Sequence, residues 1–241
     1  MNQPTISAQL NNPKVVRAWC LYDWANSVYS LVIISAIFPV YYKAVAVSET
    51  TGDMVSFLGF TVQNSVLYSY ALSFSFLLVA AMLPLVSGVA DYAGKKKSFM
   101  KVFVFIGGFG CIGLYFFDGI NTLEWGIFCC IIASIGYSGS LVFYDAFLPE
   151  IVTEDLYDST SARGYSMGYY GSILLLVICL AMIMNWSSLW FESEGDATRF
   201  SFLLVGIWWI GFAAISFRKL PENQHGRVPA GRIWTNGYFE I

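Results

Sequence analysis

The sequence predicts an all-α membrane protein: six transmembrane helices in one bundle, with both termini on the cytoplasmic side. Three observations carry that expectation. The chain is 57% hydrophobic and only 12% charged, with mean hydropathy +0.61 over 241 residues, whereas soluble domains average about 25% charged. Six apolar runs each approach the roughly 20 residues that a helix needs to cross a hydrocarbon core. Lysine and arginine are divided unequally between alternate connecting segments, as the positive-inside rule requires.

The elements follow in order. Residues 1–19 form a polar cytoplasmic segment; Met1 to Lys14 contains Pro4 and Pro13 and has no basic start followed by a short apolar run, so it does not read as a signal peptide. Residues 20–217 hold the spans: Cys20 to Tyr42, Ser65 to Ala90, Phe99 to Phe117, Leu123 to Leu148, Tyr165 to Trp186 and Phe200 to Phe217. The runs are continuous rather than alternating with period two, which argues against a β-barrel. Residues 218–241, with Pro221, Gly226, Pro229, Gly231 and Gly237, read as a cytoplasmic tail or the start of a linker. With the N-terminus inside, eleven basic residues fall in cytoplasmic segments, and only Lys43 and Arg199 fall outside.

Several function classes find no support. No basic tract interleaved with aromatics suggests a nucleic-acid surface. No phosphate-binding loop, dinucleotide fingerprint or metal-ligand cluster is present, so neither a cofactor nor a metal is expected. Cys20, Cys111, Cys129, Cys130 and Cys179 lie in apolar runs and read as small buried hydrophobes. Gly164-Tyr165-Ser166-Met167-Gly168 matches the serine-elbow pattern, but that motif needs a strand-to-helix turn. The single histidine, His225, lies beyond the last span. Catalytic residues are not expected.

Polar residues inside the spans are the informative ones. In span one, Asp23, Asn26, Ser27 and Ser30 fall on one helical face. An ionised aspartate at mid-membrane costs about 2.5–3.5 kcal/mol on insertion scales, so Asp23 faces protein or water. It either meets a proton or a solute amine, or it is an interfacial acid paired with Arg17 or a loop. In span four, Ser134, Tyr137, Ser138, Leu141, Tyr144 and Asp145 share a face, and Pro149 is expected to close the helix. Asp145 and Glu150 would then meet the surface near the basic loop. Gly164, Gly168 and Ser172 form a small-residue stripe suited to close helix packing. Trp208 and Trp209, mid-span, either pack against a neighbouring helix or line a solute path.

The loop Ala90-Asp91-Tyr92-Ala93-Gly94-Lys95-Lys96-Lys97 resembles the signature loop of the major facilitator superfamily. With Tyr22 to Ser27, Phe38-Pro39-Val40-Tyr41, Phe147-Leu148-Pro149-Glu150 and Gly164 to Tyr169, in that order, the chain resembles the branch of the autophagy-related vacuolar amino-acid effluxer and its bacterial permease relatives. It departs from the superfamily loop at Ser87, usually glycine, and at Tyr92, usually basic. The resemblance covers the N-terminal six-helix half of such a carrier. It implies secondary transport of small solutes, amino acids among them, by alternating access, with a second six-helix half or another copy of the chain as partner. By the same resemblance, Asp23, Asn26, Ser30, Tyr68, Tyr137 and Tyr169 would line the solute cavity. Asp91, Gly94, Lys95, Lys96 and Asp145 would form a cytoplasmic gate. A non-transporting membrane scaffold is the rival reading. A bacterial plasma membrane is the expected location.

Overall fold

The computed structural model describes residues 10–48, 50–92 and 94–222, leaving aside the side chains of residues 91 and 92. The tail beyond residue 222, including His225, lies outside the described residues. Five helices are long and apolar enough to cross a bilayer, and a bent pair makes a sixth if counted as one span. The architecture is therefore overwhelmingly helical and multi-pass. Among the described residues one short β-hairpin, in the loop after the bent pair, is added to the helices that the sequence leads one to expect.

The bent pair is the first span. Helix α1 (Pro13–Val28) starts with Pro13 in its first turn and Asn12 accepting the Lys14 N–H, a favourable N-terminal arrangement. It starts earlier than the apolar run because hydropathy marks where the hydrocarbon begins, not where the helix does. From Tyr29 to Ala36 the turns widen into a π-helix; Ile37 N–H donates to Val32 O, five residues back, at 2.9 Å. Helix α2 (Phe38–Val45) then leaves at a 41° bend. Pro39, in the first turn of α2, accounts for the break, since it has no N–H for the Ser35 carbonyl and its ring crowds that turn.

The hairpin pairs β1 (Met54–Phe57) with β2 (Phe60–Gln63) in antiparallel register, Val55 opposite Val62. Leu58 and Gly59, at φ 50° and 84°, make the two-residue turn, whose left-handed dihedrals match strand twist. Asn64 Nδ2 ties the hairpin to α2 through Ala46 O at 2.8 Å.

Helix α3 (Asn64–Tyr92) runs through Pro84 unbroken and is the least buried span. Its end carries a Schellman motif: Gly94 takes φ 61° and Lys95 N–H reaches back to Ala90 O at 2.9 Å. Helix α4 (Lys96–Leu114) follows, then α5 (Leu123–Asp145). Helix α5 stops at Asp145, and Pro149 sits in the first turn of a new short helix, α6 (Leu148–Ile151). Pro149 therefore opens a helix rather than closing span four, the position where its missing N–H costs nothing. Helix α7 (Tyr157–Met184) and helix α8 (Glu194–Phe217) complete the bundle, with Ser193 Oγ accepting the Asp196 N–H at the start of α8.

Glycine contacts hold the bundle. In lipid, apolar side chains gain little by leaving their solvent, so close van der Waals packing between small residues does the work. Gly136 of α5 sits directly on the backbone of Gly107 in α4, and Gly206 of α8 sits on Gly108 O of the same helix. Helix α7 lies on α1 through Gly164, Gly168 and Gly171, so the small-residue stripe is a packing seam. Trp209 is fully buried against Tyr29, and Trp208 stacks on Trp24 while donating to its carbonyl at 3.1 Å. The five cysteines are buried and unbridged.

At the end of the bundle where α1 starts, Lys97 is 5% exposed and donates to Leu220 O at 2.8 Å, with Glu222 at 3.4 Å. The ammonium thus satisfies a carbonyl beyond the end of α8. Lys97→Met, similar in length, is expected to lower stability by about 1–2 kcal/mol. Thermal unfolding in detergent measures this, and an unchanged midpoint would show the contact contributes nothing.

Candidate functional site

The α1–α7 seam has two faces, and one of them opens into a polar cleft of about 420 Å³. Helix α1 contributes Trp19, Asp23, Asn26, Ser27 and Ser30. Helix α5 contributes Tyr137, Leu141, Tyr144 and Asp145, and helix α7 contributes Ser161, Tyr165, Tyr169 and Ser172. The spacings explain the convergence: three, four and seven residues on α1, and four, seven and eight on α5, return to one face. Ser35 joins from the π-helical stretch, its hydroxyl donating to Ser30 O at 2.8 Å.

Asp23 is the centre of this cleft. Its carboxylate, 8% exposed at the residue level, accepts a 2.6 Å hydrogen bond from the Tyr144 hydroxyl. Tyr144 is itself held in place from two sides. Its ring stacks on Trp19 at a centroid distance of 4.2 Å, and its carbonyl accepts from Trp19 Nε1 at 3.0 Å. Across the seam Gly164 has no side chain to intrude; a Cβ there would come within 2.6 Å of Asp23 Oδ2 and 2.9 Å of Tyr144 Oη. The glycine stripe therefore does two jobs, packing α7 on α1 and leaving the carboxylate its room.

The electrostatics are one-sided. Among the described residues, Asp23 and Asp145 are the only charged ones lining the cleft. Among the described residues no cationic side chain forms an ion pair with either. Arg17, the partner considered for Asp23, lies on the opposite face of the seam. Beside Asp23 the Asn26 Nδ2 is buried and has no hydrogen-bond partner among the described residues. The arrangement can offer a hydrogen-bonded carboxylate to a proton, an ammonium group or another small cation.

Five of the six expected cavity residues line this cleft together: Asp23, Asn26, Ser30, Tyr137 and Tyr169. Tyr68 does not; it packs in an aromatic cluster with Phe38 and Tyr42, at centroid distances of 5.8 and 5.4 Å. The expected gate residues fall at the α3–α4 turn and at the cleft. Gly94 and Lys95 form the α3–α4 turn, and Lys96 pairs with Glu150 at 2.7 Å. Asp145 is exposed and lines the cleft. The Asp91 side chain lies outside the described residues. Tyr144 was not among the expected cavity residues, although its place on the polar face of span four was a usable signal.

Fold and cleft together define the class: an integral, multi-pass helical membrane protein with a polar interior. The chain belongs to the family described as vacuole effluxer Atg22 like, whose family model matches residues 11–238. This is a branch of the major facilitator superfamily that includes bacterial relatives, and membership of a transporter family makes the chain a non-enzyme. It is 34% identical over 197 residues to YxiO of Bacillus subtilis (strain 168), named an uncharacterized MFS-type transporter, covering 81% of the chain and 44% of that protein. It is 20% identical to autophagy-related protein 22-2 of Aspergillus oryzae, over 78% of the chain and 42% of the relative. With autophagy-related protein 22-1 of Aspergillus terreus the identity is 22%, over 77% and 40%. The chain thus spans less than half the length of each of these relatives. No solved structure matches it at a comparable level.

Proposed function

We propose that the chain is the N-terminal six-helix half of a secondary transporter of the major facilitator type, moving small solutes, amino acids first among them, by alternating access. The observation that carries this is the cleft: a polar, acid-lined space set into an otherwise apolar bundle. Its flank is open, since Tyr165 and Tyr169 line it and are 69% and 60% exposed. An open flank suits a second six-helix half, or another copy of the chain, closing the other side of a solute cavity. Asp23 is the ionisable contact for a proton or an amine; Asn26, Ser30, Tyr137 and Tyr169 shape the cavity beside it.

The cytoplasmic gate is assigned to the α3–α4 turn and the mouth of the cleft, where Lys96 holds α6 through Glu150 and Asp145 faces the opening. Both termini are cytoplasmic on the distribution of basic residues, and the membrane is a bacterial plasma membrane, in keeping with the identity to YxiO. The test is counterflow of labelled amino acids into liposomes containing the protein purified from its membrane. Uptake above protein-free liposomes for at least one amino acid is expected. Folded protein that moves none of them would overturn the substrate assignment, and folded protein that moves no small solute would favour a scaffold.

A further inference from the structure

The other face of the α1–α7 seam carries a groove of about 700 Å³, lined by Arg17, Cys20 and Leu21 of α1 and by Arg163, Met167 and Tyr170 of α7, with Ala162 and Ser166 between them. Residues 17, 20 and 21 are spaced by three and four, and residues 163, 167 and 170 by four and three, so each helix presents one ridge. The groove therefore lies between two ridges and points away from the solute cleft. Its vertical order is distinctive. The two arginines sit at the end of the bundle where α1 begins, and at 1.5 Å per residue Leu21 lies about 6 Å and Tyr170 about 10 Å deeper.

Both arginines are exposed, and among the described residues neither forms an ion pair with a carboxylate. A pair of guanidiniums at the membrane surface above an apolar trough is complementary to one kind of molecule in a bilayer: an acidic headgroup with acyl chains beneath it. We propose that this groove is a binding site for an anionic glycerophospholipid, with Arg17 and Arg163 holding the phosphate and the Cys20, Leu21, Met167 and Tyr170 surface receiving an acyl chain. The lipid would lie along the outer line of the same seam that Gly164 and Gly168 close from within. A zwitterionic lipid fits less well, because its own ammonium competes for the phosphate.

The test is thermal unfolding of the purified protein in nanodiscs of phosphatidylcholine, with and without phosphatidylglycerol replacing part of it. Phosphatidylglycerol is expected to raise the midpoint by about 4 °C over phosphatidylcholine alone, and Arg17→Gln with Arg163→Gln to remove that difference. Each single variant is expected to remove about half of it, which keeps the test decisive if the double variant does not fold. Inorganic phosphate added to phosphatidylcholine discs is expected to have no effect; if it reproduced the shift, the site would take a free anion and the lipid assignment would fall. Arg218→Gln with Lys219→Gln, basic residues at the same end of the bundle, are expected to leave the shift intact. Loss of the shift in that control would show general surface charge rather than a site. Equal midpoints in the two lipids would show that the groove is covered by protein, and would overturn the proposal.

Discussion

Asp23→Asn is expected to lower solute flux about 10- to 100-fold in protein that still folds. The substitution keeps the shape and leaves an oxygen to accept from Tyr144, so the 2.6 Å contact can persist. What it removes is the charge at the centre of a cleft with no lining cation. A hydrogen bond to a charged group contributes about 1.5–3 kcal/mol, and about 1.4 kcal/mol is a tenfold change in an equilibrium, which sets the range. Stability should not fall, because an amide in that position is easier to desolvate than a carboxylate. Tyr144→Phe, which leaves the charge but removes its donor, is expected to cost less, about fivefold. Tyr68→Phe is the control: it lies in the aromatic cluster outside the cleft and should leave flux unchanged. Initial uptake rates in liposomes decide the matter. Undiminished flux in Asp23→Asn would remove this residue from the transport cycle while leaving the fold as described.

The second large effect concerns Gly136→Val. A Cβ at position 136 would be driven into the backbone nitrogen and Cα of Gly107, with Phe103 O at 2.6 Å. None of these is a side-chain end that can swing away, so α4 and α5 must separate along their most extensive shared surface. Overpacking in a tight interior costs about 1–3 kcal/mol; with backbone on the receiving side the loss here is expected to reach about 3 kcal/mol or more. The variant should lose its monodisperse elution or melt many degrees lower. Gly211→Ala is the matched comparison, since a Cβ there meets nothing within 4 Å; it should be neutral or slightly stabilising through helix propensity. A Gly136→Val protein melting like its parent would mean the helices do not pack through this contact.

The parts of the molecule legible in the sequence are those set by the bilayer. Hydropathy locates spans because lipid imposes a length and a composition on each of them, whatever its neighbours. The Gly164–Gly168–Ser172 stripe was also readable, since a repeat of four identifies a smooth helical face without naming its partner. What was not legible depends on rotation about each helix axis. Tyr68 illustrates it: a polar residue on an apolar span, it turns into the aromatic cluster and not the cleft. Only the packing of α3 against its neighbours sets that angle. Glycine offered too many possibilities for the Gly107–Gly136 contact to be singled out. Two local features carry information that hydropathy does not weigh. Pro39 sits near the end of an apolar run that hydropathy treats as one straight span, and Leu58-Gly59 lies in a loop with no hydrophobic period long enough to suggest strands.

The wide turns between Tyr29 and Ala36 separate distance along the chain from angle around the axis. In an ordinary α-helix two residues five apart diverge by about 140°, yet Ser30 and Ser35 both reach the cleft. The stretch behaves as a phase adjuster between two halves of one span. Above it, Asp23 and Asn26 are set for the polar side; below it, Phe38 and Tyr42 are set for the aromatic interior, where both are buried. The wide turns advance each residue by less than the roughly 100° of an α-helix, so this eight-residue stretch takes up an extra residue without turning one half against the other. Span one therefore holds one residue more than its rotation requires, and loss of a residue within the stretch is expected to tighten the wide turns while both faces keep their settings.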